Sequence, residues 1–63
     1  MMMEYRIGEI VKVINNTVKH GFEIGTEVRV LRVNMIGQVE EAELLDSSDY
    51  WHIDNDDIIK LEQ

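Results

Sequence analysis

Apolar residues along this chain come in short clusters that are separated by glycine, asparagine, aspartate and serine. The clearest cluster is Val28–Val33, "VRVLRV", whose first two valines lie on one face while Arg29 lies on the other. This period of two is typical of a half-buried strand. Glu9–Ile14, "EIVKVI", is rich in β-branched residues and predicts another strand. The pattern indicates one all-β domain over residues 1–63, with residues 1–4 as a flexible N-terminus.

Polar residues and glycine mark the connections between these strands. Asn15–Gly21 predicts a polar loop, and Phe22–Thr26 predicts a short extended piece that ends in a glycine turn. Asn34–Gly37 predicts a hairpin loop, because its glycine is free to adopt a positive φ. Met35 and Ile36 are apolar for a loop tip, so we expect one or both to fold back onto the core.

The segment Gln38–Leu45, "QVEEAELL", is compatible with two structures. A helix would align Val39, Ala42 and Leu45 in an apolar stripe, and the composition favours it. A strand gives a less regular alternation but supplies the partner that Val28–Val33 needs. A helix this short gains little stability without packing, so we predict a strand.

Four segments complete the chain, in order a turn, a strand, a tight turn and a strand: Asp46–Ser48, Tyr50–Ile53, Asp54–Asp57 and Ile58–Leu61. The side chain of Asp54 or Asn55 is expected to cap a single helical turn before the last strand. Five short strands with one long early loop favour a small barrel.

Tyr50 and Trp51 are neighbours in the fourth predicted strand, so their side chains point to opposite faces. Trp51 shares a face with Ile53, which predicts that this face packs in the core. Tyr50 then lies with His52 on the outer face and is the better candidate for an exposed aromatic contact residue.

Charge is distributed unevenly along the chain. Residues 34–63 carry Lys60 against nine acidic residues, a net charge of −8, whereas residues 1–33 carry five basic and four acidic residues, a net charge of +1. Strong acidity opposes binding to a phosphate backbone, because that affinity comes from lysine and arginine. It is compatible with a basic protein partner, or with solubility alone.

The residue inventory restricts the chemistry. Cysteine is absent, which excludes disulfides and cysteine-ligated zinc and fits a reducing compartment. No apolar run has the length of a signal peptide or membrane span, so we expect a cytoplasmic protein without membrane association.

The acidic turn and the histidines do not form recognisable metal sites. Counted from Asp54, the sixth position of a calcium loop is Ile59 instead of the required glycine. His20 and His52 lack a metal-ligand spacing and are expected at a loop or strand edge. The two serines have no nucleophile-elbow context, and the glycines do not form a phosphate loop. We therefore expect no enzyme activity, no metal and no cofactor.

The order of elements resembles that of small SH3-like barrels of bacterial and phage type. The resemblance is carried by four stretches over nearly the whole chain: "IGEIVKVI" (Ile7–Ile14), "HGFEIGTEVRVLRV" (His20–Val33), "EEAELL" (Glu40–Leu45) and "YWHIDNDDIIKL" (Tyr50–Leu61). It implies a five-stranded barrel with one helical turn before the last strand, and a binding module. The aromatic residues are few, so proline-rich peptide recognition is not expected.

These observations predict a non-enzymatic protein-binding module, an accessory protein that docks on a basic partner. The candidate contact residues belong to the outer face of the fourth strand and its acidic border: Tyr50, His52, Asp49, Asp54, Asp56 and Glu43. Two alternatives stay open. One is nucleic-acid association through the basic half, or nucleic-acid mimicry by the acidic half. The other is a homo-oligomer formed by pairing of strand edges.

Overall fold

The computed structural model of the protein describes residues 4–61, so most of the expected flexible N-terminus lies outside the described residues. The five strands and one 3-10 turn are, in chain order, β1 (Ile10–Val13), β2 (Glu27–Val33), β3 (Val39–Leu44), β4 (Tyr50–His52), η1 (Asn55–Asp57) and β5 (Ile58–Lys60). The all-β class is confirmed, as is the strand predicted for Gln38–Leu45.

The strands form one antiparallel sheet in the order β4-β3-β2-β1-β5. Hairpins join β2 to β3 and β3 to β4, while β5 returns to pair with β1 at the far edge. Among residues 4–61 the two edge strands do not pair with each other, so the sheet is open and barrel closure stays a prediction.

The period of two in the sequence places one face of the sheet in a small core. Val11 and Val13 of β1 are buried together with Val28 and Val30 of β2, whereas Lys12 between the first two is exposed. Branched valine side chains suit this pleated surface because they lose little conformational freedom in a strand. The remaining buried apolar residues are Tyr5, Phe22, Val39, Ala42, Ile53 and Ile58.

A bulge bends the long strand β2. Val30 pairs with Ala42, but Arg32 pairs with Glu41, so Leu31 is an additional residue on β2. Such an insertion bends the strand and increases the local twist. The strand β2 pairs with β1 at its first three residues and with β3 from Val28 to Val33.

The loop between β1 and β2 is held by a buried carboxylate from the other end of the chain. Asp57, at the end of η1, is fully buried. Its Oδ1 accepts a hydrogen bond of 2.7 Å from the Thr17 N–H, and its Oδ2 accepts one of 3.4 Å from the Asp54 N–H. Its backbone carbonyl accepts hydrogen bonds from Ile14 and Asn15. Asp57 therefore joins η1 to the start of the loop.

The same loop is closed around His20, which lies in a loop as predicted but is buried. The His20 Nε2 lies 2.7 Å from the Asn15 carbonyl, and the Phe22 N–H donates to Nδ1 at 3.2 Å. A ring nitrogen that accepts a hydrogen bond carries no proton, so in this arrangement Nδ1 is the acceptor and Nε2 the donor. Asn16 completes the loop by bonding both the N–H and the carbonyl of His20.

The prediction that Met35 or Ile36 folds back onto the core is wrong. Met35 is 101% exposed and Ile36 is 65% exposed. The Asn34 side chain accepts hydrogen bonds from the N–H groups of Ile36 and Gln38, and the backbone N–H of Asn34 donates to the Gln38 carbonyl. This compact turn, completed by Gly37 at φ 85°, directs both apolar side chains into solvent.

Asp57→Ala should lower the free energy of unfolding by roughly 1–3 kcal/mol, because it removes the buried carboxylate that bonds the Thr17 N–H. Asp57→Asn keeps an acceptor oxygen and should lose less. Asp56→Ala, on the exposed side of the same turn, is the matched control and should leave stability unchanged. Urea denaturation measures all three, and an Asp57→Ala variant as stable as the control would contradict this role.

Tyr5 should titrate above ordinary tyrosine. Burial, and after it the negative charge of Glu9, raises the pKa of Tyr5 above 10.0. The folded protein holds the Tyr5 proton more tightly than the unfolded chain does. The contribution of this group to stability is therefore fully present below pH 10 and is lost as the pH rises through the folded-state pKa. Absorbance titration of a Tyr50→Phe variant, in which Tyr5 is the remaining tyrosine, measures the value directly. A midpoint at or below 10.0 would disprove the assignment.

Candidate functional site

The edge strand β4 has one hydrogen-bonded side and one open side. The Asp49 carbonyl accepts a hydrogen bond of 3.0 Å from Leu44, and the Ile53 N–H donates to Glu40 at 3.1 Å. In an antiparallel ladder the residues that bond a neighbour alternate, so Trp51 bonds β3 while the N–H and C=O groups of Tyr50 and His52 point away from it. Within the described chain these four groups have no strand beside them.

The outer face of β4 lies where the sequence predicts it. Tyr50 is 59% exposed and stands directly opposite Glu43, while His52, also exposed, stands opposite Glu41. Residues that are opposite each other in an antiparallel pair share a face. Tyr50 and His52 therefore project on the solvent side of the sheet, beside two glutamates of β3.

The prediction that Trp51 is a core residue is wrong, although its face is the predicted one. Trp51 stands opposite the buried Ala42, on the core side, and Ile53 on the same side is fully buried. Trp51 is nevertheless 47% exposed. It belongs to the outermost strand, so part of its indole ring extends past the rim of the core.

The indole ring lies against the backbone of Gly21 in the β1–β2 loop. A Cβ atom placed on Gly21 would overlap the ring and would lie 2.7 Å from its Nε1. Side-chain atoms do not approach this closely, so the contact requires glycine. Sequence reasoning missed this pairing, because Gly21 in a polar loop carries no signal of a partner thirty positions away.

Beside Trp51 is a shallow hollow that is open to solvent. It is lined by Ser48, Asp49, Tyr50 and Trp51 and has a volume of about 370 Å³. The Asp49 N–H bonds the Ser47 hydroxyl in the turn before β4. The hollow therefore brings a carboxylate residue and two exposed aromatic residues together at the open edge.

The other candidate acids differ in their exposure to solvent and in whether they are already paired. Glu43 is paired with Arg29, whose guanidinium nitrogen is 3.0 Å from its carboxylate. Asp54 is half-buried at the start of η1, in the predicted capping position, and Asp56 is exposed within η1. Asn55 instead bonds the Val39 N–H and ties the turn to β3. Asp49 and Asp56 are thus the more accessible acids of the predicted set.

A wider acidic region surrounds β4. Residues 33–59 contain no lysine or arginine, and their eight acidic residues are Glu40, Glu41, Glu43, Asp46, Asp49, Asp54, Asp56 and Asp57. The topology places β3 and β4 from this stretch at one edge of the sheet, and η1, which connects β4 to β5, is bonded to the start of β3 through Asn55. A positively charged group that approached β4 would be attracted by most of its surroundings.

The basic residues of the first half are interleaved with acids on the sheet. Arg29 forms the ion pair with Glu43, and Lys12 and Arg32 stand opposite Glu27 and Glu41. Alternating charges of this kind give little of the continuous positive surface that a phosphate backbone requires.

The described residues contain neither a cluster of possible metal ligands nor a helix that could span a membrane. Between residues 4 and 61, no three histidine or acidic side chains are grouped in a way that suits a metal ion. The same part of the chain contains no helix with the length and apolar character needed to cross a membrane.

Comparisons with protein-family models, with curated proteins and with solved structures find no match for this chain.

Gly21→Ala should push the indole of Trp51 outward into solvent, with a longer-wavelength tryptophan emission and a loss of about 1 kcal/mol from overpacking. In a Trp51→Ala background the same substitution should be neutral or slightly stabilising, because the steric conflict is absent and alanine restricts the unfolded chain. A double-mutant cycle measured by denaturation isolates the contact. An equal cost in both backgrounds would refute it.

Proposed function

We propose that this protein is a non-enzymatic protein-binding module that docks on a basic partner through the surface of β4. The observation that carries the proposal is the exposure of Tyr50 and Trp51, side by side on an open edge strand, within an acidic stretch that lacks lysine and arginine. Exposed tyrosine and tryptophan supply most of the energy at protein interfaces when a partner removes them from water. Acidic surroundings select the charge of that partner and raise its rate of association.

The proposed contact residues have separate roles. Tyr50 and Trp51 provide apolar contact area on the two sides of the edge. Asp49 and Asp56 are the accessible anionic groups, and Asp54 adds charge at the end of β4. His52, next to Trp51 on β4, and Glu43, opposite Tyr50 on β3, border the surface. A further candidate function, nucleic-acid binding, is not favoured by the interleaved cations of the sheet.

The module is proposed to be an SH3-like barrel. Five short strands with a 3-10 turn before the last, a bulge that bends β2 and one core to which β1, β2, β3 and β5 contribute support this. The contact between Gly21 and Trp51 also draws the β1–β2 loop across the core toward β4. On the sequence resemblance we further propose a cytoplasmic accessory protein of bacterial or phage type.

Affinity capture from a nuclease-treated lysate of the source organism tests the proposal. The wild type should retain a basic protein, and a Tyr50→Ala, Asp49→Ala, Asp56→Ala variant should lose it. The matched control is Met35→Ala, Glu23→Ala, Glu27→Ala, which removes one exposed apolar residue and two exposed acids elsewhere.

Retention by the control and loss by the variant, with circular dichroism showing that both are folded, would support docking on β4. Loss of the partner by both variants would indicate that binding depends on the net charge of the protein and not on the surface of β4. Retention by both would leave a binding module with its surface elsewhere. Capture of nothing, together with a mass that rises with concentration, would favour self-association instead.

A further inference from the structure

We propose that β4 binds its partner by strand addition: an extended segment of the partner, with two consecutive basic residues, pairs with β4 as a sixth strand. The inference rests on the proposed function and deepens it, because it names the conformation and the side chains of the segment that binds.

The backbone of β4 supplies the first argument. The open edge presents an N–H and a C=O from Tyr50 and the same pair from His52, with Trp51 between them bonded to β3. Every second residue of an antiparallel edge strand directs its N–H and C=O away from the sheet, and Tyr50 and His52 have this spacing. Such an edge binds extended peptides through main-chain hydrogen bonds, while side chains on alternate faces provide specificity.

Proteins usually protect an exposed edge against pairing, by making the strand very short or by placing lysine, proline or inward-pointing charges on it. The strand β4 is short, with three residues, but it has none of the other protections. The three residues of β4 are Tyr50, Trp51 and His52, and the register of its pairing with β3 is regular. The acidic residues on the neighbouring elements oppose pairing with acidic or neutral strands but favour pairing with a basic one.

The register assigns a site to each basic residue of the segment. The residue opposite Trp51 projects on the core side, where it meets the exposed part of the indole and the hollow that Asp49 lines. A lysine or arginine there contacts both a carboxylate and the ring, which attracts cations. The next residue lies opposite His52 on the outer face, with Glu41 one strand farther away across His52, and that glutamate is not the one held by Arg29.

A second copy of this chain is a poorer occupant of the same edge. Pairing β4 with β4 would place the acidic surroundings of two molecules against each other, and like charges that face each other across strands are destabilising. A phosphate backbone is disfavoured for the same reason. The charge of the region therefore favours a basic polypeptide.

The test uses short peptides capped at both ends, made of threonine and valine around a central lysine–arginine pair. Binding is followed by the fluorescence of Trp51, the single tryptophan, and by hydrogen exchange of the Tyr50 and His52 amides. The peptide should bind saturably, with exchange at both amides slowed about tenfold or more as hydrogen bonds form. A peptide with glutamates in place of the basic pair should not bind.

Two N-methylated peptides separate strand addition from simple charge attraction. Methyl groups on alternate amides fall either on the N–H groups that face β4 or on those that face away. The peptide methylated on the N–H groups that face β4 should bind about tenfold or more weakly, because those hydrogen bonds are lost. The peptide methylated on the N–H groups that face away should bind as the parent does. Equal binding by the two sets would overturn the proposal, as would binding that leaves both amides unprotected.

A matched pair of protein variants tests the same point from the other side. His52→Ala and His52→Pro both remove the imidazole, but only proline removes the outward N–H, which a residue at a strand edge can lose without breaking the ladder to β3. We expect the proline variant to bind about tenfold or more weakly than the alanine variant, because both lack the imidazole and only proline also lacks the outward N–H. Equal affinities would overturn the proposal, and the methylated peptides decide the matter if the proline variant unfolds.

The remaining outcomes are also decisive. If the basic peptide does not bind at low salt, strand addition is wrong, and the capture experiment still decides whether β4 docks a folded partner. If the Tyr50 and His52 amides become protected in the protein alone as its concentration rises, a second copy occupies the edge and the proposed occupant is wrong.

Discussion

The buried carboxylate of Asp57 connects parts of this protein that are distant along the chain. It bonds the Thr17 N–H across forty positions and also receives the Asp54 N–H within its own turn. A buried acceptor is tolerated only when its hydrogen bonds are made, so the turn and the loop must be positioned together. The start of β5 and the start of the β1–β2 loop are thus held by one side chain.

The position of the candidate site follows from this constraint. The loop that Asp57 holds closes around the buried ring of His20 and brings Gly21 beneath the indole of Trp51. The indole is thereby supported from below while part of it stays exposed at the rim. A ring held in this way loses little freedom when a ligand covers it, which lowers the entropic cost of binding. Rigid support and partial exposure make Trp51 suited to contact a partner.

The length of β4 and the acidic residues around it together determine which strands can pair with this edge. Three residues suffice for β4 because it needs only to cover the edge of β3 and to place Trp51 over the loop. So short a strand is a weak template for nonspecific pairing. The acids of β3, of η1 and of the segments that flank β4 then restrict which strands approach it, so selectivity comes from the neighbours more than from β4 itself.

Local patterns were sufficient to predict most elements. The alternation of Val28 and Val30 around Arg29 indicates both the strand and its buried face, because a period of two depends only on the geometry of the pleat. The acidic turn at Asp54 predicts the single helical turn for an equally local reason. Hydrophobicity alone predicts the wrong position for Met35 and Ile36, because the side chain of Asn34 organises the turn.

What the sequence by itself determined is the all-β class, the strands, the acidic half and the face on which each residue of β4 lies. These properties depend on neighbours within a few positions. Only the tertiary structure decided that β4 is an edge strand, that Trp51 is half exposed above Gly21, and that His20 and Asp57 are buried. Each of these depends on which strands are adjacent and on contacts between residues that are far apart in the chain. Such contacts leave no periodic signal, because they are set by the packing of the whole sheet.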